Sequence, residues 1–261
     1  MSTIASIGDL SELPTEAEAM HVFLSRFPES QAAIWDKTGF RVTKHYFPDG
    51  IPSELIDYAP AGLIISTDLS ITIAFNGELL NANGVIITHD GKGDLPFRAK
   101  EAYLYTITPF PEFTTGIIMP TDPLAELIRE PWTDTEFQRQ CVFKFVRESG
   151  FGPYLATCGS TIHREEHVST PKKSSGLGRH RDNDNGGRQL TLLVYPGGHW
   201  RGGELIVMSG DTLRAQEIET GLTGIGWRTV VMMGSVLHEP HEPTQGTRRC
   251  IAFHIDTEVS H

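Results

Sequence analysis

Residues 178–195 read GRHRDNDNGGRQLTLLVY. The opening part sets His180 and Asp182 two positions apart. In an extended chain, side chains at i and i+2 share a face, so an imidazole and a carboxylate project toward one point. The closing part, RQLTLLVY (188–195), is rich in β-branched, aromatic and apolar residues and reads as a strand. Between them Asn183, Asp184 and Asn185 read as turn residues, because such side chains bond their own backbone.

The segments that follow repeat this rhythm. GGELIVM (202–208), WRTVVMMGS (227–235) and RRCIAFHI (248–255) are short apolar runs separated by turn-forming pieces. Upstream, FRVTKHYF (40–47), AGLIIST (61–67), SITIAF (70–75), GVIITH (84–89) and AYLYTITPF (102–110) read the same way. Helices are expected at 14–36, interrupted at Pro28, at 123–129 and at 134–149. The last of these should turn Phe137, Cys141, Phe143, Phe145 and Val146 inward and stop at Gly150. Many short strands with few helices predict an α+β, β-rich chain built on an antiparallel sandwich or barrel. The polar stretch 161–178 reads as a loop, a candidate lid over whatever His180 and Asp182 hold.

The chain has 261 residues, which fits one domain. The expected division is a supporting part, 1–150, and a part carrying the chemistry, 151–261. A formal net charge of −11 argues against nucleic acid as partner. The basic stretch 171–181 is the local exception, a solvated loop or a landing place for an anion. Cys141, Cys158 and Cys250 show no paired spacing, so neither a disulfide framework nor a thiolate zinc site is expected. No apolar run approaches the ~20 residues of a membrane span. The N-terminus lacks the basic and apolar regions of a signal peptide, and a cytoplasmic location without membrane partners is expected.

Two ligands hold a metal poorly, so a third must come from elsewhere. His238 ends an apolar strand at the start of a polar turn, and His241 competes with it in the repeated His-Glu-Pro pair. Two imidazoles and one carboxylate on one face of a metal leave positions open for a bidentate 2-oxoacid and dioxygen, the arrangement that suits Fe(II). A diacid cosubstrate also needs a cation for its far carboxylate, and arginine offers a charged fork. Arg248 shares a strand face with the small or polar Cys250, Ala252 and His254, whereas Arg249 shares one with Ile251, Phe253 and Ile255. The first face suits a pocket and the second suits packing, which selects Arg248. His254 is by default a satisfied buried histidine, and Glu204 and His199 read as solvent-facing.

In order, these elements are His180-Arg181-Asp182, Gly202-Gly203-Glu204-Leu205, His238, Gly246 and Arg248. The set resembles the 2-oxoglutarate/Fe(II)-dependent oxygenases, in particular their prolyl 4-hydroxylase-like branch, over about residues 176–256. The resemblance implies a double-stranded β-helix (a cupin-like jelly roll) with flanking N-terminal helices. It implies Fe(II), 2-oxoglutarate and O2 as the cofactor and cosubstrates, with 2-oxoglutarate decarboxylated to succinate as a second substrate is oxidised. His180, Asp182 and His238 would hold the metal and Arg248 the cosubstrate. Cys250 stands where the family often has Ser, and Tyr195 or Tyr154 would supply the aromatic hydroxyl missing ahead of His180. Asp182, where halogenating relatives carry a small residue, favours hydroxylation, desaturation or ring formation. A small molecule such as an amino acid is the expected substrate, with a prolyl-type peptide substrate as runner-up. The rival from another class is a non-catalytic metal-binding jelly roll.

Overall fold

The computed structural model describes residues 12–25, 39–57, 61–75, 78–81, 95, 97–155, 161–171, 177–182, 188–221 and 226–256. It divides into two compact units, residues 1–110 with 210–213 and residues 111–209 with 214–261. The sequence puts its division at residue 150; the compact units divide at 110.

The first unit is an antiparallel sheet with a helix on it. Helix α1 (Glu16–Leu24) starts at a capping box, in which Thr15 and Glu18 satisfy each other's backbone N–H groups. Strand β1 (Phe40–Phe47), the short helix α2 (Ser53–Asp57), β2 (Gly62–Ser66), β3 (Ile71–Phe75), β4 (Glu78–Asn81) and β5 (Ala102–Pro109) follow, with sheet order β1-β5-β2-β3-β4. β2 is buried on both faces: Leu63 and Ile65 pack with Ala19, Val22 and Phe23, while Ile64 packs with Ile51, Phe97 and Leu104. The expected strand at 84–89, Pro28 and the rest of the helix expected to residue 36 lie outside the described residues.

The second unit carries β6 (Phe113–Ile118), α3 (Pro123–Arg129) and α4 (Glu136–Val146). α4 runs on through a wide turn at Arg147–Phe151 into the single turn α5 (Gly152–Leu155). Then come β7 (Ile162–Ser169), β8 (Arg188–Tyr195), β9 (Arg201–Gly202), β10 (Leu205–Ser209), β11 (Arg214–Ile218), β12 (Trp227–Met233), β13 (His238–Pro240), β14 (Pro243–Gln245) and β15 (Arg248–Asp256). The major sheet has the order β6-β12-β8-β15-β7 and the minor sheet β11-β10-β13, all pairs antiparallel. His180 extends the minor sheet through a bridge to His238. Along the chain, β7, the His180 segment, β8, β10, β11, β12, β13 and β15 wind between the two sheets. That winding is the double-stranded β-helix that the resemblance implies, and it refines the antiparallel sandwich or barrel read from the strands.

Two cores follow from strand alternation. Leu193, Tyr195 and Ala252 of the major sheet meet Leu205, Val207 and Ile218 of the minor sheet. On the other face, Leu192, Val194, Ile251 and Phe253 meet the helical Leu124, Ile128, Val142 and Val146. Two expectations are corrected here. Phe137 is 72% exposed; the α4 face that packs is offset to Gln138, Val142 and Val146, and Gln138 is retained inside because it bonds the Thr133 and Thr135 N–H groups and the Pro131 carbonyl. Residues 162–169 are not loop but strand β7, which the polar composition disguises because among the described residues it lies at the sheet edge beside β15 alone. No helix among the described residues is long and apolar enough to cross a membrane.

Candidate active site

His180 and Asp182 stand on the segment leading to β8, and His238 opens β13. The backbones of His180 and His238 exchange both N–H···O bonds, at 2.9 and 3.0 Å, which fixes the two imidazoles side by side. Their ring centroids are 4.2 Å apart. Asp182 Oδ1 lies 3.5 Å from His180 Nε2 and 3.9 Å from His238 Nε2. One donor atom from each residue falls within 4.8 Å of the others, and this is the only such group among the described residues.

The outer partners set the chemistry of these donors. His180 Nδ1 is 2.7 Å from the Gly178 carbonyl, and His238 Nδ1 is 3.0 Å from that of Val236. A carbonyl only accepts, so both Nδ1 atoms carry the proton and donate. Nε2 of each ring is thereby the atom turned toward Asp182. Thr191 on β8 donates to Asp182 Oδ2 at 2.5 Å. Burial works against the Asp182 charge. The hydrogen bond with His180, the imidazole of His238, the Thr191 hydroxyl and His254 outweigh it and hold the carboxyl well below its ordinary range. Asp182 is therefore ready as an oxygen donor without losing a proton.

Behind it lies a cavity of about 290 Å³, lined by these three residues and by Tyr195, Arg248 and Cys250 among others. Arg248 is 2% exposed. Its Nε donates to Ser169 Oγ and its Nη1 to the Gly203 carbonyl, both at 3.1 Å. No carboxylate pairs with it among the described residues. A buried guanidinium held only by neutral acceptors is fitted to take an anion from the cavity. The GGEL segment shapes this seat. Gly203 has φ +75°, and a Cβ there would stand 3.3 Å from Arg248 Cδ. Glycine thus lets the carbonyl come up to the guanidinium.

Cys250 and Tyr195 lie beside Arg248, thiol against hydroxyl. Burial pushes the thiol up to about 12, despite the nearby Arg248 charge, and pushes the phenol well above its ordinary value. Both are neutral hydrogen-bonding groups near pH 7. Tyr154 is in the helix-side core against Phe151, so of the two tyrosines weighed for the hydroxyl only Tyr195 lines the cavity. Arg249 faces away and pairs with Glu166 at 2.6 Å. His241 and His199 are exposed, and Glu204 is half-buried. Residues 183–185 and Lys172 and Lys173 lie outside the described residues.

Sequence reasoning missed four contributors. Thr191, Ser169, Glu165 and His167 all serve the site or line the cavity, the last three on β7. Their signal was period-two spacing (165, 167, 169) next to the proposed ligands, hidden because the stretch read as loop. Arg181 is also buried and lines the cavity.

No protein-family model matches the chain, and no curated protein does. Among solved structures it is similar to a prolyl-4-hydroxylase from Pseudomonas putida, at 15% identity and TM-score 0.40, over 56% of this chain and 88% of that one. It is also similar to a 2OG-Fe(II) oxygenase family oxidoreductase from Burkholderia pseudomallei, at 16% identity and TM-score 0.35, over 57% and 70%. A prolyl hydroxylase from Trichoplax adhaerens aligns over 93% and 91%, at 14% identity and TM-score 0.34. Likeness of this degree is slight, and the functional weight rests on the cavity residues.

Proposed function

We propose that this chain is an Fe(II)- and 2-oxoglutarate-dependent dioxygenase that hydroxylates a C–H bond of a small molecule. One observation carries the reading: an N,N,O donor set and a buried arginine that has no carboxylate partner among the described residues line one cavity. A structural zinc site would close its coordination with four protein ligands. Here the described residues offer three donors that face an open cavity, which suits a metal with exchangeable positions.

His180, Asp182 and His238 would hold Fe(II), and Arg248 would pair with the distal carboxylate of 2-oxoglutarate. When bound, Fe(II) with 2-oxoglutarate and O2 supplies the oxidising power for C–H cleavage, the diacid leaving as succinate and carbon dioxide. The protein's own share is placement. The paired imidazoles are pinned by backbone carbonyls, Asp182 is held ionised, and Arg248 is seated by Ser169 and Gly203. Tyr195 and Cys250 add neutral hydrogen-bonding groups and bring no competing anionic ligand. The cavity is at the small end of ligand sites, which run from roughly 300 Å³ upward. It admits a small molecule or a single side chain.

The test is an anaerobic titration of apoprotein with Fe(II) and then 2-oxoglutarate, followed by visible absorption. A charge-transfer band is expected in the wild type and absent in His180→Ala. Folded wild-type protein giving no band would overturn the proposal and leave a non-catalytic metal-binding jelly roll in its place.

A further inference from the structure

The Gly203 carbonyl that seats Arg248 has a second partner. Thr220 Oγ1 donates to it at 2.6 Å, from 17 residues along the chain and just past β11. Trp200 Nε1 lies 3.3 Å from the same Thr220 oxygen. Chemistry fixes the roles along this row. An indole N–H only donates, so the Thr220 oxygen accepts from it and its single proton is left for the carbonyl. A guanidinium also only donates, so the carbonyl accepts from both sides and both of its lone pairs are used. The order is Trp200, Thr220, Gly203, Arg248, and all four residues are buried. Bonds in such a row polarise one another, and the low dielectric around them strengthens each.

The carbonyl needs this hold. Gly202 and Gly203 stand in succession at φ +69° and +75°. Glycine enters that region freely and leaves it as freely, so the backbone alone fixes the carbonyl's direction weakly. Ser169 and the carbonyl together take two of the five N–H donors of Arg248, which leaves three for an anion. Where those three point depends on where the carbonyl points. Gly246 belongs to the same construction. It has φ +78°, and a Cβ on it would run into the His199 carbonyl oxygen and stand 3.1 Å from Trp200 Cα. Glycine at 246 thus lets the chain ahead of Arg248 lie against the backbone of Trp200, where the row begins.

We propose that Thr220, oriented by Trp200, is a positioning residue for the diacid: it acts through the Gly203 carbonyl to aim the Arg248 guanidinium at the far carboxylate. This rests on the oxygenase reading for the identity of the diacid. Neither Thr220 nor Trp200 lines the cavity, whereas Arg248 does, so their effect reaches the ligand through the guanidinium.

The experiment is calorimetric titration of the metal-loaded protein without oxygen. The probes are 2-oxoglutarate and 2-oxopentanoate, which has a methyl where the diacid has its far carboxylate. Thr220→Val should weaken 2-oxoglutarate about five- to ten-fold, the size of one buried hydrogen bond, and leave 2-oxopentanoate within roughly two-fold. Thr220→Ser, which keeps the hydroxyl, should restore the discrimination between the two. In an Arg248→Ala background Thr220→Val should weaken 2-oxoglutarate no further, since the group it acts through is gone. The double variant Trp200→Phe/Thr220→Val removes both polar groups and orphans neither, so it carries the same expectation if the single variant folds poorly. An unchanged 2-oxoglutarate affinity, equal weakening of both probes, or a further loss beside Arg248→Ala would each overturn the proposal. A wild type that binds both oxoacids equally would overturn the oxygenase reading of Arg248, and this proposal with it, on the wild-type arm alone.

Discussion

The two faces of strand β15 have little in common. One carries Arg248, Cys250, Ala252 and His254 against a polar cavity; the other carries Ile251, Phe253 and Ile255 against helices. The cavity face gathers charge, thiol and imidazole, groups that cost free energy to bury. The helix face gathers the aliphatic and aromatic area that offsets it. A single strand with period two thus divides stability from chemistry residue by residue. The lesson is that substitutions one position apart should fail in different ways.

The strongest break in that contrast is on the cavity side. Asp182→Ala should abolish turnover and weaken Fe(II) by more than the 10–100-fold typical of losing an outer partner. The apoprotein should melt somewhat lower, since the groups that hold the carboxyl ionised lose their partner; metal analysis with calorimetric melting checks both. Next comes the opposite face. Phe253→Ala should cost about 3–5 kcal/mol of stability through an unfilled cavity beside Trp132, while the fraction that folds still binds one metal. Denaturant melts and metal stoichiometry together would show a failed division if Fe(II) binding fell first.

The neighbouring arginines sharpen the comparison. Arg248→Ala should weaken 2-oxoglutarate on the order of 100-fold, as for two charge-assisted hydrogen bonds lost. Arg249→Ala should leave that affinity within two-fold in the same titration. The smallest effect belongs to the outer pair. The hydrogen bond from Arg249, and after it the Arg249 charge, hold the Glu166 carboxyl below its ordinary value against mild desolvation. A lowered carboxylate contributes stability above its unfolded value and loses it as pH falls through the folded one. Arg249→Ala should therefore cost ~0.2–1 kcal/mol at pH 7, an exposed pair being screened, and the difference should vanish in acid below about pH 3. Urea melts of both proteins across pH 3–7 would show it; a difference that grew in acid would reverse the sign.

Much of the site was legible from the sequence for a physical reason. His180, Asp182, His238 and Arg248 sit where local rules act: an i, i+2 pair on extended chain, a strand end, an alternating strand. The choice of Arg248 over Arg249 needed only the character of the residues at 250 to 255. What stayed hidden depends on pairing across the sheet. Strand β7 reads IHREEHVS, polar on both faces, and becomes a strand only because β15 offers it eight partners in register. Its contributions Ser169, His167 and Glu165 could not be read before that pairing was known. The Phe137 expectation failed for a related reason: apolar spacing along a helix gives a stripe, but which part of the stripe meets the sheet is a tertiary matter. Tyr154 and Tyr195 were equal as sequence and are separated only by which side of the major sheet each occupies.

Arg248 is immobilised by two groups of the protein itself, the Ser169 hydroxyl and the Gly203 carbonyl. A free arginine side chain gives up roughly 1.5–2 kcal/mol of rotamer entropy on ordering. Here that entropy is surrendered once, as the chain folds, and not again at every encounter with a diacid. About ten-fold in affinity would then reside in a serine hydroxyl and a glycine carbonyl, and it would survive any change of ligand that keeps a carboxylate at that end.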